Sequence, residues 1–228
     1  MTKLFDYLKS ESVKRVVIVT VLLTWCASMI VVRMERTGSG YYRFLLGNLF
    51  LAFVPLFLST GLRIADELQL NRIIKTVIFS LWLLFLPNAP YILTDILHLT
   101  RANQAPAWYD LALLLSCAGT GLLMGYLSLI DVQGIVERNF NPIVGWVFAV
   151  MTLVLSGFGI YLGRFLRWNS WDVLTSPMLL LELGKALTHP FSDARPLSVT
   201  FIFGVTLALA YISVRLLLVS TSGSRNKV

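Results

Sequence analysis

Six long apolar runs, separated by polar segments, constrain this chain more than any other feature of its sequence. A helix needs about 20 apolar residues to cross about 30 Å of hydrocarbon, and lipid cannot satisfy an exposed backbone. None of the runs shows the period-two alternation of barrel strands. We therefore predict an all-α, polytopic transmembrane bundle of six spans. The predicted spans cover residues 16–32, 44–62, 73–90, 111–130, 143–163 and 197–219.

Composition supports a membrane protein and excludes a water-soluble fold. Hydrophobic residues make up 57% of the 228 residues and charged residues only 14%, whereas soluble domains carry about 25% charged residues. No linker or low-complexity tract divides the chain, so we expect residues 1–228 to form a single transmembrane domain. The first apolar run is too long for a cleaved signal peptide, which indicates a first span.

The basic residues are spread between the apolar runs, although the net charge is +7. Positive-inside sorting and lipid headgroups account for this placement, so we expect the lipid bilayer, including anionic lipid, as the partner and no nucleic acid. Ten Lys and Arg on one side of six spans, against eight on the other, favour cytoplasmic termini. Cys26 and Cys117 both fall within apolar runs and predict neither a disulfide nor a metal site.

Two segments depart from a simple span. Pro87 and Pro90 interrupt the third run, and each removes an amide donor and clashes with the preceding turn, so we predict a broken third helix. Residues 171–189 mix apolar and charged side chains, which predicts an interfacial amphipathic helix before the last span.

Glycines four residues apart occur in the fourth and fifth runs. The pairs are Gly121 with Gly125 and Gly159 with Gly163. This spacing lets backbones approach closely and indicates packing within the chain, although glycine is also simply common in transmembrane helices.

The first polar motif, PNAPYILTDILH over residues 87–98, directly follows the third run. In a continuous α-helix one face of it would carry Tyr91, Thr94, Asp95 and His98. Asp and His three residues apart can hydrogen-bond, which favours the charged imidazole and suits a proton carrier. The structural alternative is that Asp95 accepts amides freed by the prolines while His98 lies among the headgroups.

The second polar motif, GRFLRWNSWD over residues 163–172, ends the fifth run. Helical spacing would place on one surface Arg164, Arg167, Trp168 and Trp171. Two adjacent guanidinium groups suit a phosphate or carboxylate, and Asp172 could be their internal partner. An aromatic belt and arginines snorkelling at a helix end are the alternative, and neither needs a ligand.

Both motifs must emerge on the same membrane face if the chain crosses six times, so they can form one polar cavity. The candidate catalytic residues are Asp95 and His98. The candidate ligand-binding residues are Asn88, Tyr91, Arg164, Arg167, Asn169, Trp171 and Asp172. We expect no cofactor, and two histidines without a cysteine on this face make a His-rich metal centre improbable.

At these residues the chain resembles an uncharacterised family of bacterial multi-pass membrane proteins, a domain of unknown function. The resemblance lies in the patterns PNAPYxLTDxxH and GRFxRxNSWD and covers nearly the whole chain. It implies a location in the bacterial cytoplasmic (inner) membrane. It implies no activity.

Three classes of function fit these observations. The first is a site that binds or processes an anionic amphipathic or lipid-linked molecule, with the arginines holding the anion and Asp95 and His98 handling a proton. The second is a proton-coupled transporter or channel, which the sparse polar lining of the other spans disfavours. The third is a non-catalytic assembly or scaffold protein whose motifs staple helices together. The sequence decides neither enzymatic activity nor oligomeric state.

Overall fold

The computed structural model describes residues 2–101, 105–168, 170, 172 and 194–225, and these contain helices and no strand. The α-helices are α1 (Thr2–Thr37), α2 (Phe44–Glu67), α3 (Arg72–Phe85), α4 (Asn88–Tyr91), α5 (Ala107–Asn139), α6 (Pro142–Phe165) and α7 (Ala194–Arg225). Two 3₁₀ helices cover Tyr41–Arg43 and Ile92–Arg101.

Six helical segments are long and apolar enough to cross a membrane, which confirms the predicted all-α bundle of six spans. They are Ser12–Thr37, Tyr41–Glu67, Arg72–Leu99, Ala107–Asn139, Pro142–Phe165 and Pro196–Leu217. The predicted interfacial helix over residues 171–189 lies, apart from Asp172, outside the described residues.

Helix α5 forms the centre of the bundle. Its apolar window is 61% buried, whereas those of the first and last spans are each 22% buried. The indole of Trp82 on α3 donates to the hydroxyl of Ser128 on α5 at 2.5 Å, and Ser128 donates to the carbonyl oxygen of Pro55 on α2 at 3.1 Å. Because these bonds satisfy buried polar groups, they join three spans without leaving a donor unpaired.

The same helix extends nine residues past the predicted end at residue 130, reaching Asn139. Its polar residues there find partners on other spans: Asp131 accepts from Arg15 at 2.7 Å, and the Gln133 side-chain oxygen accepts from the Tyr211 hydroxyl at 2.5 Å. The helix thus continues beyond the predicted apolar span, because paired polar residues can extend a buried helix.

The third helix is broken, as the prolines predicted. Helix α3 ends at Phe85, the single turn α4 follows, and the chain then continues as a 3₁₀ helix. The side-chain amide of Asn88 donates to the carbonyl oxygen of Phe85 at 2.8 Å, which satisfies an acceptor at the break. The break therefore redirects the chain without leaving that carbonyl exposed.

The 3₁₀ geometry corrects the predicted polar face. With three residues per turn, Asp95 and His98 stay aligned, but Tyr91 and Thr94 turn to a different face. The Thr94 hydroxyl is occupied locally, donating to the Tyr91 carbonyl oxygen at 2.7 Å. The expected four-residue stripe required a continuous α-helix, and this segment does not form one.

Both glycine pairs pack against the α4 turn. A Cβ placed on Gly121 would lie 2.8 Å from the carbonyl oxygen of Ala89, and one on Gly159 would lie 2.5 Å from the Cβ of Pro87. Gly125 and Gly163 meet the same segment, facing Ala89 and Tyr91. The glycines of α5 and α6 thus clamp the turn from two sides, which places the first motif between the fourth and fifth spans.

Replacing Gly121 with Ala should destabilise the protein by about 1–3 kcal/mol, because the new methyl overlaps a backbone oxygen that cannot move freely. Gly119 is a matched control on the same helix, since a Cβ there meets nothing within 4 Å. Gly119→Ala should be neutral or stabilising by up to about 1 kcal/mol. Thermal unfolding in detergent compares the two, and equal midpoints would contradict the clamp.

Candidate functional site

A partly open cavity of about 860 Å³ lies among the second, third and fifth spans. Its polar lining includes Asn48, Asn88, Tyr91, His98, Arg164 and Arg167. Its apolar lining includes Leu51, Phe79, Leu83, Leu155, Phe158 and Leu162. The polar residues come mainly from the ends of spans and the apolar ones from within spans, so the cavity has one polar and one apolar end.

Asp95 joins three spans behind the polar end. Its carboxylate is 2% exposed, accepts from the Asn48 side-chain amide at 2.7 Å, and lies 3.5 Å from the Arg164 guanidinium. A buried carboxylate is costly unless it is paired and hydrogen-bonded. The second, third and fifth spans are therefore tied together by the neutralisation of one charge.

His98 contacts the same guanidinium. Arg164 Nη1 lies 3.3 Å from His98 Nε2, and the Tyr41 hydroxyl lies 3.3 Å from His98 Nδ1. A guanidinium can only donate, so Nε2 must accept and the ring proton is assigned to Nδ1. The same Arg164 nitrogen, Nη1, therefore contacts both Asp95 and His98.

Arg167 reaches the cavity wall through an unusual backbone. Helix α6 ends at Phe165, the Trp168 amide donates back to the Leu162 carbonyl oxygen at 3.2 Å, and Arg167 has φ 59°. The left-handed region costs a non-glycine residue about 1–2 kcal/mol. The predicted helical stripe from Arg164 to Trp171 therefore stops early, although Arg164, Arg167 and Trp168 still line the cavity.

The two motifs meet directly, as expected for motifs on one membrane face. Asn88 of the first motif donates to the Ser170 hydroxyl of the second at 2.8 Å. Asp172 is partly exposed, whereas Asn169 and Trp171 lie outside the described residues. The structure thus brings together most of the described candidates, with Asp95 set behind the wall.

A buried ion pair supports this end of the bundle. The Arg33 guanidinium on α1 donates to both carboxylate oxygens of Asp110 on α5, at 2.6 and 3.0 Å, and both side chains are about 1% exposed or less. The Tyr42 ring lies 4.4 Å from the guanidinium carbon, and its hydroxyl donates to the His98 carbonyl oxygen at 3.4 Å. The pair thereby helps to hold the segment that carries His98.

Sequence reasoning did not identify Asn48 as part of the site. Asn48 is an amide within an apolar span, and a polar residue at membrane depth usually has a partner. The sequence therefore indicated that Asn48 has a partner, but it did not show that this partner is Asp95, 47 positions away.

The assembled groups can bind an anion and move a proton. Arg164 and Arg167 each offer guanidinium donors to the cavity, and His98 offers an imidazole. Among the described residues, no three His, Cys, Asp or Glu side chains come close enough together to hold a metal ion.

One family model matches residues 47–212, and its description reads "Protein of unknown function (DUF1361)". The match extends from α2 into α7 and includes both polar motifs. No curated protein and no solved structure matches the chain.

Replacing Arg164 with Gln should destabilise the protein by more than about 1 kcal/mol, because a buried carboxylate then keeps one partner instead of two. Neutralising Asp95 should recover part of this loss. The four proteins to compare by thermal unfolding are the wild type, Arg164→Gln, Asp95→Asn and the double variant. We expect a coupling of at least about 1 kcal/mol, and strictly additive effects would show that the two side chains are independent.

Proposed function

The chain belongs to the DUF1361 family, and because that family has no assigned function we propose one from the cavity itself. The cavity binds the anionic group of an amphipathic or lipid-linked molecule at the membrane. The observation that carries the proposal is the pairing, in one cavity of about 860 Å³, of two arginines at one end with apolar walls at the other.

The arginines supply the recognition. Charged side chains this close to hydrocarbon cost a few kcal/mol unless they are paired or reach water. Arg164 is partly satisfied by Asp95 and His98, while Arg167 is exposed on the wall and held in a strained backbone. Strain retained at a wall residue supports a role in binding, since glycine would be the less costly residue there.

His98 is the group that we propose carries a proton if the bound molecule is processed. An anion that draws Arg164 toward itself would release the Nε2 lone pair, which Arg164 now occupies at 3.3 Å. Asp95 is not on the cavity wall, so we propose that it acts through Arg164 as a positioning residue, together with Asn48. Asn88 and Tyr91 would position the ligand from the α4 turn.

Two observations rank binding above the alternatives. A transporter needs a polar path across the bilayer, but the apolar end of the cavity meets the packed rings of Phe79, Trp82 and Phe148, whose centroids lie 5.6 to 6.1 Å apart. A scaffold whose motifs only staple helices predicts no cavity lined by the motif residues, whereas His98, Arg164 and Arg167 all line one.

The retention of anionic lipid tests the proposal. Nanodiscs with equal dioleoylphosphatidic acid and dioleoylphosphatidylcholine supply the probe, and native mass spectrometry measures which lipid stays bound. Wild type should retain phosphatidic acid in preference to phosphatidylcholine. In Arg167→Gly the ratio of the two bound lipids should fall about tenfold. Glycine fits the left-handed backbone, so this variant should remain folded.

Arg36→Ala is the matched control, because Arg36 is an exposed arginine at the same end of the bundle and does not line the cavity. It removes one positive charge and should leave the preference unchanged. Equal lipid ratios in wild type and Arg167→Gly would overturn the proposal.

We further propose a bacterial inner-membrane location with both termini in the cytoplasm, supported by the Lys and Arg distribution. The cavity would then face away from the cytoplasm at its polar end. Alkaline phosphatase, which is active only outside the cytoplasm, should be inactive when fused after Val228 and active when inserted after Gly38. The reverse pattern would invert the orientation.

A further inference from the structure

The exposure of two wall residues within the apolar spans indicates a lateral opening of the cavity, in addition to its polar end. Two of its lining residues, Ser80 on α3 and Leu155 on α6, are exposed, and Leu155 is 47% exposed. Leu155 lies ten residues before the end of α6 at Phe165, or about 15 Å along the helix axis. Since the hydrocarbon layer is about 30 Å thick, this opening lies near the middle of the bilayer.

The contacts along α6 bracket this opening. Phe148 packs against Phe79 and Trp82 of α3, with ring centroids 6.0 and 6.1 Å apart. Further along α6, Gly159 packs against Pro87. Leu155 lies between these two contacts, where α3 and α6 leave room for the cavity.

The apolar end of the cavity suits a hydrocarbon chain. Apart from Ser80, its side-chain walls are leucine and phenylalanine, and water gains few hydrogen bonds in such a space. An opening to the bilayer interior would admit lipid chains, which match these walls in polarity. The same cavity continues to Arg164 and Arg167, about 14 Å from Leu155 by helical rise for the nearer arginine.

We infer that the ligand is an anionic membrane lipid that enters sideways between α3 and α6. Its headgroup phosphate or carboxylate lies on the arginines, and one hydrocarbon chain lies along Leu83, Leu155 and Phe158. This inference rests on the proposed function and adds the source of the ligand and its route. A water-soluble phosphate compound would satisfy the arginines but would leave the apolar end and its opening without a role.

The position of the bound hydrocarbon chain can be mapped by photolabelling. The probe is phosphatidic acid with a photoreactive diazirine on one acyl chain, presented in phosphatidylcholine vesicles to the full-length protein. Irradiation of wild type should label peptides containing Leu83, Leu155 or Phe158 in preference to the peptide containing the exposed Phe201 on α7. Leu155→Trp narrows the opening and should reduce this labelling about tenfold.

Met151→Trp is the matched control, because Met151 is 64% exposed one turn away on α6 and does not line the cavity. This variant should be photolabelled to the same extent as wild type. Both Trp variants replace exposed side chains and should unfold at similar temperatures. Labelling that falls equally in both variants would overturn the lateral route.

Failure of this inference is distinguishable from failure of the proposed function. In one outcome, retention of phosphatidic acid depends on Arg167 while its acyl chain labels Phe201 as strongly as the cavity walls. This result would support the arginine site for the headgroup and would contradict the proposed site for the hydrocarbon chain. If glycerol 3-phosphate binds as tightly as phosphatidic acid, the ligand is a soluble phosphate compound and the inference is wrong. If neither binding depends on Arg167, both proposals fail.

Discussion

The close approach of the α4 turn to glycines on α5 and α6 determines where the polar groups of the first motif lie. Ala89 and Pro87 occupy space that any side chain at Gly121 or Gly159 would fill. The prolines end α3, and the glycines give the redirected chain a place to pack within the bundle. Asp95 and His98 follow this turn, so their positions depend on this steric contact as well as on their own hydrogen bonds.

Hydrogen bonds and ion pairs of buried charges position the remaining polar groups. Asp95 lies in a site too dry to keep an unpaired charge, and it draws Asn48 and Arg164 from two other spans. Arg33 and Asp110 make the same kind of tie between α1 and α5. The cost of burying these charges makes the polar end specific, because removing one partner leaves the other uncompensated in a low dielectric.

The cavity combines this polar end with an apolar interior. The strained backbone of Arg167 and the sharing of Arg164 between a carboxylate and an imidazole are features that stability alone does not require. They make sense together if an anion completes the arginine coordination. The apolar walls and the exposed Leu155 would then contact the hydrocarbon part of the same ligand.

By itself the sequence determined the number of spans, the break at Pro87 and the meeting of the two motifs. Bilayer thickness fixes how long an apolar run must be, and proline ends a helix through its own local geometry. The number of crossings between the two motifs places them on the same membrane face. Only the tertiary structure decided that Asn48 pairs with Asp95, that Arg33 pairs with Asp110, and that the chain after Tyr91 is 3₁₀. These pairings join residues 47 and 77 positions apart. They depend on how the helices rotate and pack against each other, which hydropathy and spacing do not encode.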